Sequence, residues 1–171
     1  EAQMAFGIRM AVPGTETAQD YYSFPFPTDH HLDAQGRVNV TAHPVPGPGL
    51  IGFDPIGLIK DALDRQKSGW SPFTAVTFRA TAEVDPASLV AANTSGDAAS
   101  ASILLINLTT GEPHPSTVVY EAPRNKYACG HRIVVQPVLG EPLDQEATYA
   151  AILTTGVLAK AGADGTPGAP A

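Results

Sequence analysis

The chain has one cysteine, Cys129, in 171 residues, so no disulfide can close within it. A lone cysteine is most often a small packed hydrophobe, and reactive or inter-chain chemistry is its rarer use. Cations are also scarce: ten Lys and Arg stand against 17 Asp and Glu, for a formal net charge of −7. No basic stripe exists to neutralise phosphates, so nucleic acid is not an expected partner and an anionic membrane surface is disfavoured. No apolar run approaches the ~18 residues a spanning helix needs, so membrane insertion is not expected. The phosphate-cradling patterns G-x-x-x-x-G-K-[ST] and G-x-G-x-x-G are missing, which leaves nucleotide cofactors unsupported. The G-x-S-x-G elbow of serine hydrolases is missing too, since Ser95-Gly96-Asp97 lacks the first glycine and reads as a polar turn. The sequence starts at Glu1 with no charged-then-apolar leader, and the expectation is a mature or trimmed piece of a longer secreted protein.

Glycine and proline are plentiful, with 16 of each. Together they break long helices and mark frequent turns, which favours an all-β chain of short strands. At this length such a domain buries roughly 70% of its unfolded surface.

The alternation of Met4, Phe6, Ile8, Met10 and Val12 predicts a half-buried strand over 4–12, stopped by Pro13-Gly14, with "TETAQD" as a connector. "LDAQGRVNVTA" predicts a turn at Ala34–Gly36 and a strand at 37–42, and the proline-rich "HPVPGPG" is loop. One helix is expected near 55–68: Asp54 caps it, Pro55 suits its first turn, and Gly69 closes it. Its apolar positions are Leu58, Ile59, Ala62 and Leu63, with Lys60, Asp61, Asp64, Arg65 and Lys67 on a solvated face.

Further strands are expected at 73–82, 101–110, 117–122, 131–138 and 148–157, with 101–110 and 117–122 lying around the turn "GEPHPS". Val76, Phe78 and Ala80 share one face, and "VDPASL" forms a single helical turn capped by Asp85. About seven strands at this spacing suit a β-sandwich better than a parallel sheet. Tyr149 follows Leu143 across a polar turn, the setting of a tyrosine corner whose hydroxyl bonds to backbone just upstream.

The stretch "YYSFPFPTDHHLD" (21–33) concentrates aromatics, histidines and carboxylates. His30 and His31 are adjacent, so on a strand they would face opposite ways. In a turn His30 could converge with Asp29 and Asp33, but no zinc spacing or calcium loop supports an ion there. Asp29 is better suited to capping the following turn, while Tyr22, Phe24 and Phe26 alternate so as to seal an open end of the sandwich. His43 and His114 lie beside prolines in loops, and His131 lies near Cys129. Sequons at Asn39, Asn93 and Asn107 fit an extracellular chain only weakly. No catalytic, cofactor-binding or metal-ligating residue, and no small-molecule ligand, is expected.

"RIVVQPVLGEPLDQEATYAAILTTGVL" resembles the closing strands of the bacterial Ig-like domains of S-layer and other surface proteins. "WSPFTAVTFRATAEVDPASL" is similar to their opening strand. "YYSFPFPTDHHLDAQGRVNV" resembles the FPxPsD segment that precedes such domains in large secreted or lipid-anchored delta-proteobacterial proteins and in bacterial lipase N-terminal regions. The resemblance implies an Ig-like or fibronectin-type sandwich over 20–160, flanked by an N-terminal strand and connector (1–19) and a linker or tail (161–171). It also implies a non-catalytic structural or adhesive module, secreted or on the cell surface. Its partners would be other domains of the polypeptide or neighbouring surface subunits. Two alternatives stand beside it. One is the accessory N-terminal domain of a lipase or esterase whose catalytic domain lies beyond Ala171. The other is a fibre subunit that donates strand 4–12, its alternate side chains filling a partner's pockets.

Overall fold

The computed structural model describes residues 6–10, 21, 25–45, 47–49, 52–65, 69–95, 97–122, 124 and 129–161. Expectations for Met4, Val12, the 15–20 connector, Tyr22, Phe24, the helix end at 66–68 and the tail 162–171 lie outside those residues. The chain divides into two compact units: Glu1–Arg9 with Pro72–Ala171, and Met10–Ser71. The span 20–160, expected as one domain, takes in parts of both units.

The first unit is built of antiparallel strands: β1 (Val76–Arg79), β2 (Ile103–Asn107), β3 (Ser116–Glu121), β4 (Arg132–Pro137) and β5 (Tyr149–Leu153). β4 lies between β1 and β3 in one sheet, with Phe78 opposite Ile133 and Val118 opposite Val135. β2 pairs with β5 in another, Leu105 facing Ala151. Among the described residues there are five strands, not seven. The turn "GEPHPS" joins the two sheets instead of closing a hairpin, and only Ile106 and Pro113 bridge across it.

Buried residues of both sheets form one core: Phe78, Ile133 and Val135 from the first, Ile103 and Leu105 from the second, joined by Val84, Val157 and Ala159. Period two explains β4, where Ile133, Val135 and Pro137 are buried and the residues between them are not. β2 breaks the alternation because its other face is covered as well, Leu104 packing with Ala92 and Ala101. Complete burial of a Val or Ile side chain is worth about 1.5–3 kcal/mol, and Ile103, Ile133, Val84, Val135 and Val157 are the largest such contributors. The turn at Pro86–Ser88 forms as expected, Asp85 accepting from the Ala87 N–H at 3.0 Å.

The expected strand 4–12 is reduced, within the described residues, to one bridge between Ile8 and Ala80. Its backbone bonds run from Arg9 N–H to Arg79 and from Thr81 N–H to Gly7. Phe6 is buried and Ile8 packs on the core, but Met10 is exposed, so the alternation ends at Ile8.

The Met10–Ser71 unit holds a tight turn at Asp29–His31 and helix α1 (Pro55–Arg65). Asp54 caps α1, its carboxylate accepting from Gly57 N–H at 2.9 Å and from Gly47 N–H at 3.0 Å. The strand expected at 37–42 is absent: only Val38 bridges to Leu32, across a turn in which Gly36 takes a left-handed φ of 72°. In the Pro72–Ala171 unit a second helix, α2 (Ala92–Ser95), adds one turn that the composition did not announce. The apolar positions of α1 are largely uncovered within the chain, Leu58 and Ile59 being 62% and 58% exposed.

Candidate functional site

The histidine-bearing stretch folds around a ring cluster inside the Met10–Ser71 unit. Thr28 precedes the turn at Asp29–His31, and its carbonyl accepts from the His31 N–H at 2.9 Å. The His31 Nδ1 lies 3.3 Å from the Thr28 N–H and 3.2 Å from its hydroxyl. Accepting the N–H requires a lone pair on Nδ1, so the imidazole is neutral in this arrangement. Thr28, not Asp29, is the capping residue; Asp29 occupies the first position of the turn.

His31 is 6% exposed. Its ring meets Phe26, Tyr21 and Trp70 edge-on at centroid distances of 4.8, 5.0 and 6.3 Å. Phe26 also meets Trp70 at 5.4 Å, and Tyr21 meets His43 at 5.0 Å. Edge-on rings at these distances are the favourable arrangement for aromatic quadrupoles. Phe26 thus packs on Tyr21, His31 and Trp70 of its own unit. The adjacent histidines part company, His31 going inward while His30 is exposed.

Asp33 does not converge with them on an ion. One of its oxygens accepts from the Gln35 and Arg37 N–H groups at 2.9 and 3.0 Å. The other accepts from Arg37 Nε at 2.7 Å, and this bond holds the carboxyl below the ordinary carboxylate range. Asp33 closes the Ala34–Gly36 turn. Among the described residues no group of three or more His, Cys, Asp or Glu is placed to hold a metal ion.

The tyrosine corner is present in the first unit. The Tyr149 hydroxyl accepts from the Asp144 N–H at 3.1 Å, five residues upstream, and donates to the Asp144 carboxylate at 3.0 Å. Asn107 Nδ2 donates to the same carboxylate and the same hydroxyl, at 3.1 and 3.2 Å. Its Oδ1 meanwhile accepts from the Thr109 N–H at 2.9 Å. Asn107 is 6% exposed with its amide engaged, so this sequon is part of the corner and closed to a glycan; Asn39 and Asn93 are exposed. The His114 ring stands edge-on to Tyr149 at 5.6 Å, and its Nε2 donates to the Glu141 carbonyl at 3.0 Å.

A second tyrosine lock escaped the sequence reading. The Tyr120 hydroxyl accepts from the Val84 N–H at 2.9 Å and lies 3.2 Å from His131 Nδ1. Burial raises the hydroxyl's pKa above its ordinary value. His131 takes a left-handed φ of 58°, a conformation uncommon outside glycine. Cys129 is half-buried and unpaired with another cysteine.

These side chains share one chemistry: hydroxyls, amides and imidazoles bonded to nearby main chain, fixing turns and sheet ends. Spacing in sequence foretold Tyr149, but nothing in the spacing joined Tyr21, His43 and Trp70 to His31, or Tyr120 to His131. No family model matches the chain, nor does any curated protein or solved structure.

Proposed function

We propose that the chain is a non-catalytic structural or adhesive module of Ig-like sandwich type, carried by a secreted or cell-surface bacterial protein. The Tyr149–Asp144–Asn107 corner is the observation that carries this reading, because it pins a crossover between strands at the end of a shared two-sheet core. The pairing of the 6–9 segment with Arg79–Thr81 of the same chain favours a self-contained module over a donated strand. A module of this kind acts by presenting loops and spacing its neighbours, and needs no reacting group.

The test is to label intact cells that make the full-length polypeptide with an antibody against residues 1–171, and to read the coding sequence past Ala171. Surface labelling with a neighbouring non-catalytic domain is the expected result. A cytoplasmic location overturns the proposal, and a downstream G-x-S-x-G elbow moves it to an accessory domain of a hydrolase.

A further inference from the structure

A sheet edge is either closed by other parts of the chain or left with main-chain groups facing outward, and the edges of the Pro72–Ala171 unit differ in this. β1 is covered by the first segment, with Arg9 N–H donating to the Arg79 carbonyl and Thr81 N–H to the Gly7 carbonyl. β2 is covered on its outer side. Ile103 N–H donates to Val90, Asn107 N–H donates to Glu112, and the Leu105 carbonyl accepts from His114 N–H. β3 is blunted, since Ser116 N–H donates to Asn93 Oδ1 at 3.1 Å and Glu121 puts a charge at its far end. No such cover lies on β5 among the described residues.

Two bonds set the phase of β5. Leu108 N–H donates to the Thr148 carbonyl and Thr154 N–H to the Ser102 carbonyl, at either end of the pairing with β2. In an antiparallel pair, alternate residues turn both main-chain groups to the partner strand. Ala150 and Ile152 therefore bond inward to β2, while Tyr149, Ala151 and Leu153 turn their N–H and C=O groups outward. Among the described residues none of those outward groups has a hydrogen-bond partner. All five residues reach solvent in part.

The composition of this edge suits a second copy of the same chain. Residues 147–159 contain no Asp, Glu, Lys, Arg or Pro, in a chain whose formal net charge is −7. Like charges opposed across a strand pair are destabilising, and Lys and Pro are the usual guards of an exposed edge. Here neither a repelling charge nor a missing donor stands in the way. The strand is also complementary to itself. Turned antiparallel about Ala151, it sets Ala151 against Ala151 of the second copy, and Tyr149 against its Leu153. Every outward residue is then in a bonded pair, each pair exchanging two N–H···O bonds. On the other face the small Ala150 meets the larger Ile152, which is 37% exposed.

We infer that β5 is a self-association edge, on which a second copy of this chain adds its own β5 antiparallel, centred on Ala151. The pairing joins two β2–β5 sheets into one across a two-fold axis. The same strand serves on both sides, so the assembly closes at two copies. Main-chain bonds supply the attraction and fix the register, and the covered Ile152 side chains add apolar burial.

The test is sedimentation equilibrium of the 171-residue chain between about 10 μM and about 1 mM, with amide hydrogen exchange recorded at both ends of that range. The mass should rise from one copy towards two. Exchange at Tyr149, Ala151 and Leu153 should slow as the concentration rises, while Val118 and Tyr120, outward on β3, keep their rates. Ile152→Lys should weaken association about tenfold or more, because each copy then brings a cation to the same seam. Ala151→Pro removes an outward donor and no bond to β2, so it should weaken association too. Val119→Lys, at an exposed position of β3, should leave association unchanged. Circular dichroism checks the fold of each variant, and the exchange measurement on the unaltered chain decides the matter even where a variant fails to fold. A mass of one copy throughout overturns the proposal, as does growth beyond two. So does exchange at Tyr149, Ala151 and Leu153 that ignores concentration. A dimer that Val119→Lys weakens, and that folded β5 variants do not, overturns it as well.

Discussion

The two units of this chain solve the same problem with different materials. The Pro72–Ala171 unit is held by aliphatic side chains layered between sheets, with Ile103, Ile133, Val84 and Val157 fully buried. The Met10–Ser71 unit is held by rings, three of which meet one buried histidine while a fourth, His43, meets Tyr21, and by turns that Asp33, Asp54 and Thr28 close. Aliphatic layers need a regular backbone that brings alternate residues to one face. A ring cluster does not, because a few large planar groups can cover one another from irregular chain. That is why the proline-rich unit can be compact with little repeating structure.

The contrast can be broken most forcefully at Ile133, which sits at the centre of the three-stranded sheet with no exposed surface. Ile133→Ala should cost the first unit about 2–5 kcal/mol, through lost transfer energy and the cavity left behind. Hydrogen exchange of the β4 amides is the measurement, and unchanged protection there would contradict the layered core.

A smaller effect is expected at His31. His31→Ala removes the ring and leaves the Thr28 N–H without its acceptor, for a loss of about 1–3 kcal/mol in the second unit. Trp70 is the chain's one tryptophan and touches the cluster, so its fluorescence in a denaturant titration reports that unit. His31→Phe should restore the ring packing but not the bond. A phenylalanine variant as weak as the alanine one would show that the imidazole's acceptor, and not its ring, does the holding.

The finest distinction lies at Tyr120. Tyr120→Phe should cost about 1–3 kcal/mol by leaving the buried Val84 N–H unpaired. Because burial holds the Tyr120 hydroxyl's pKa above 10.0 in the folded chain, folding favours the protonated form. That contribution is complete below pH 10.0 and is lost as the pH rises through the raised value. The variant should therefore lose less stability in alkali than the parent. Some loss should persist in both, since the bond to Glu83 raises Lys160 above 10.5 in the same sense. Identical alkaline profiles would remove Tyr120 from the account.

Much of the first unit is legible in the sequence because its determinants are local and periodic. Val76, Phe78 and Ala80 alternate, Asp85 precedes Pro86, and Tyr149 follows its polar turn at the spacing a corner needs. β2 is less legible, for a residue buried on both faces of a strand carries no alternation. The strand expected at 37–42 is cut short because its pairing with 31–33 ends where the Asn39 N–H bonds to the His31 carbonyl, and the Asn39 Oδ1 then turns the chain by accepting from the Thr41 N–H. The ring cluster was hidden for another reason. Tyr21, His31, His43 and Trp70 converge through turns whose path no periodicity encodes, so the histidines looked like stray ligands until their neighbours were known.

The bridge at Ile8 has a consequence for synthesis. The contact of Gly7 with Thr81 joins residues 74 positions apart, with the whole Met10–Ser71 unit between them. At ribosomal rates of ~5–20 residues per second, Thr81 is added roughly 4–15 s after Gly7. During that interval Phe6 and Ile8 have no sheet to join, so a segment made before its partner strand must wait to be seated. A nascent chain halted before residue 80 would leave that segment open to proteases, whereas one released past Ala159 would shield it.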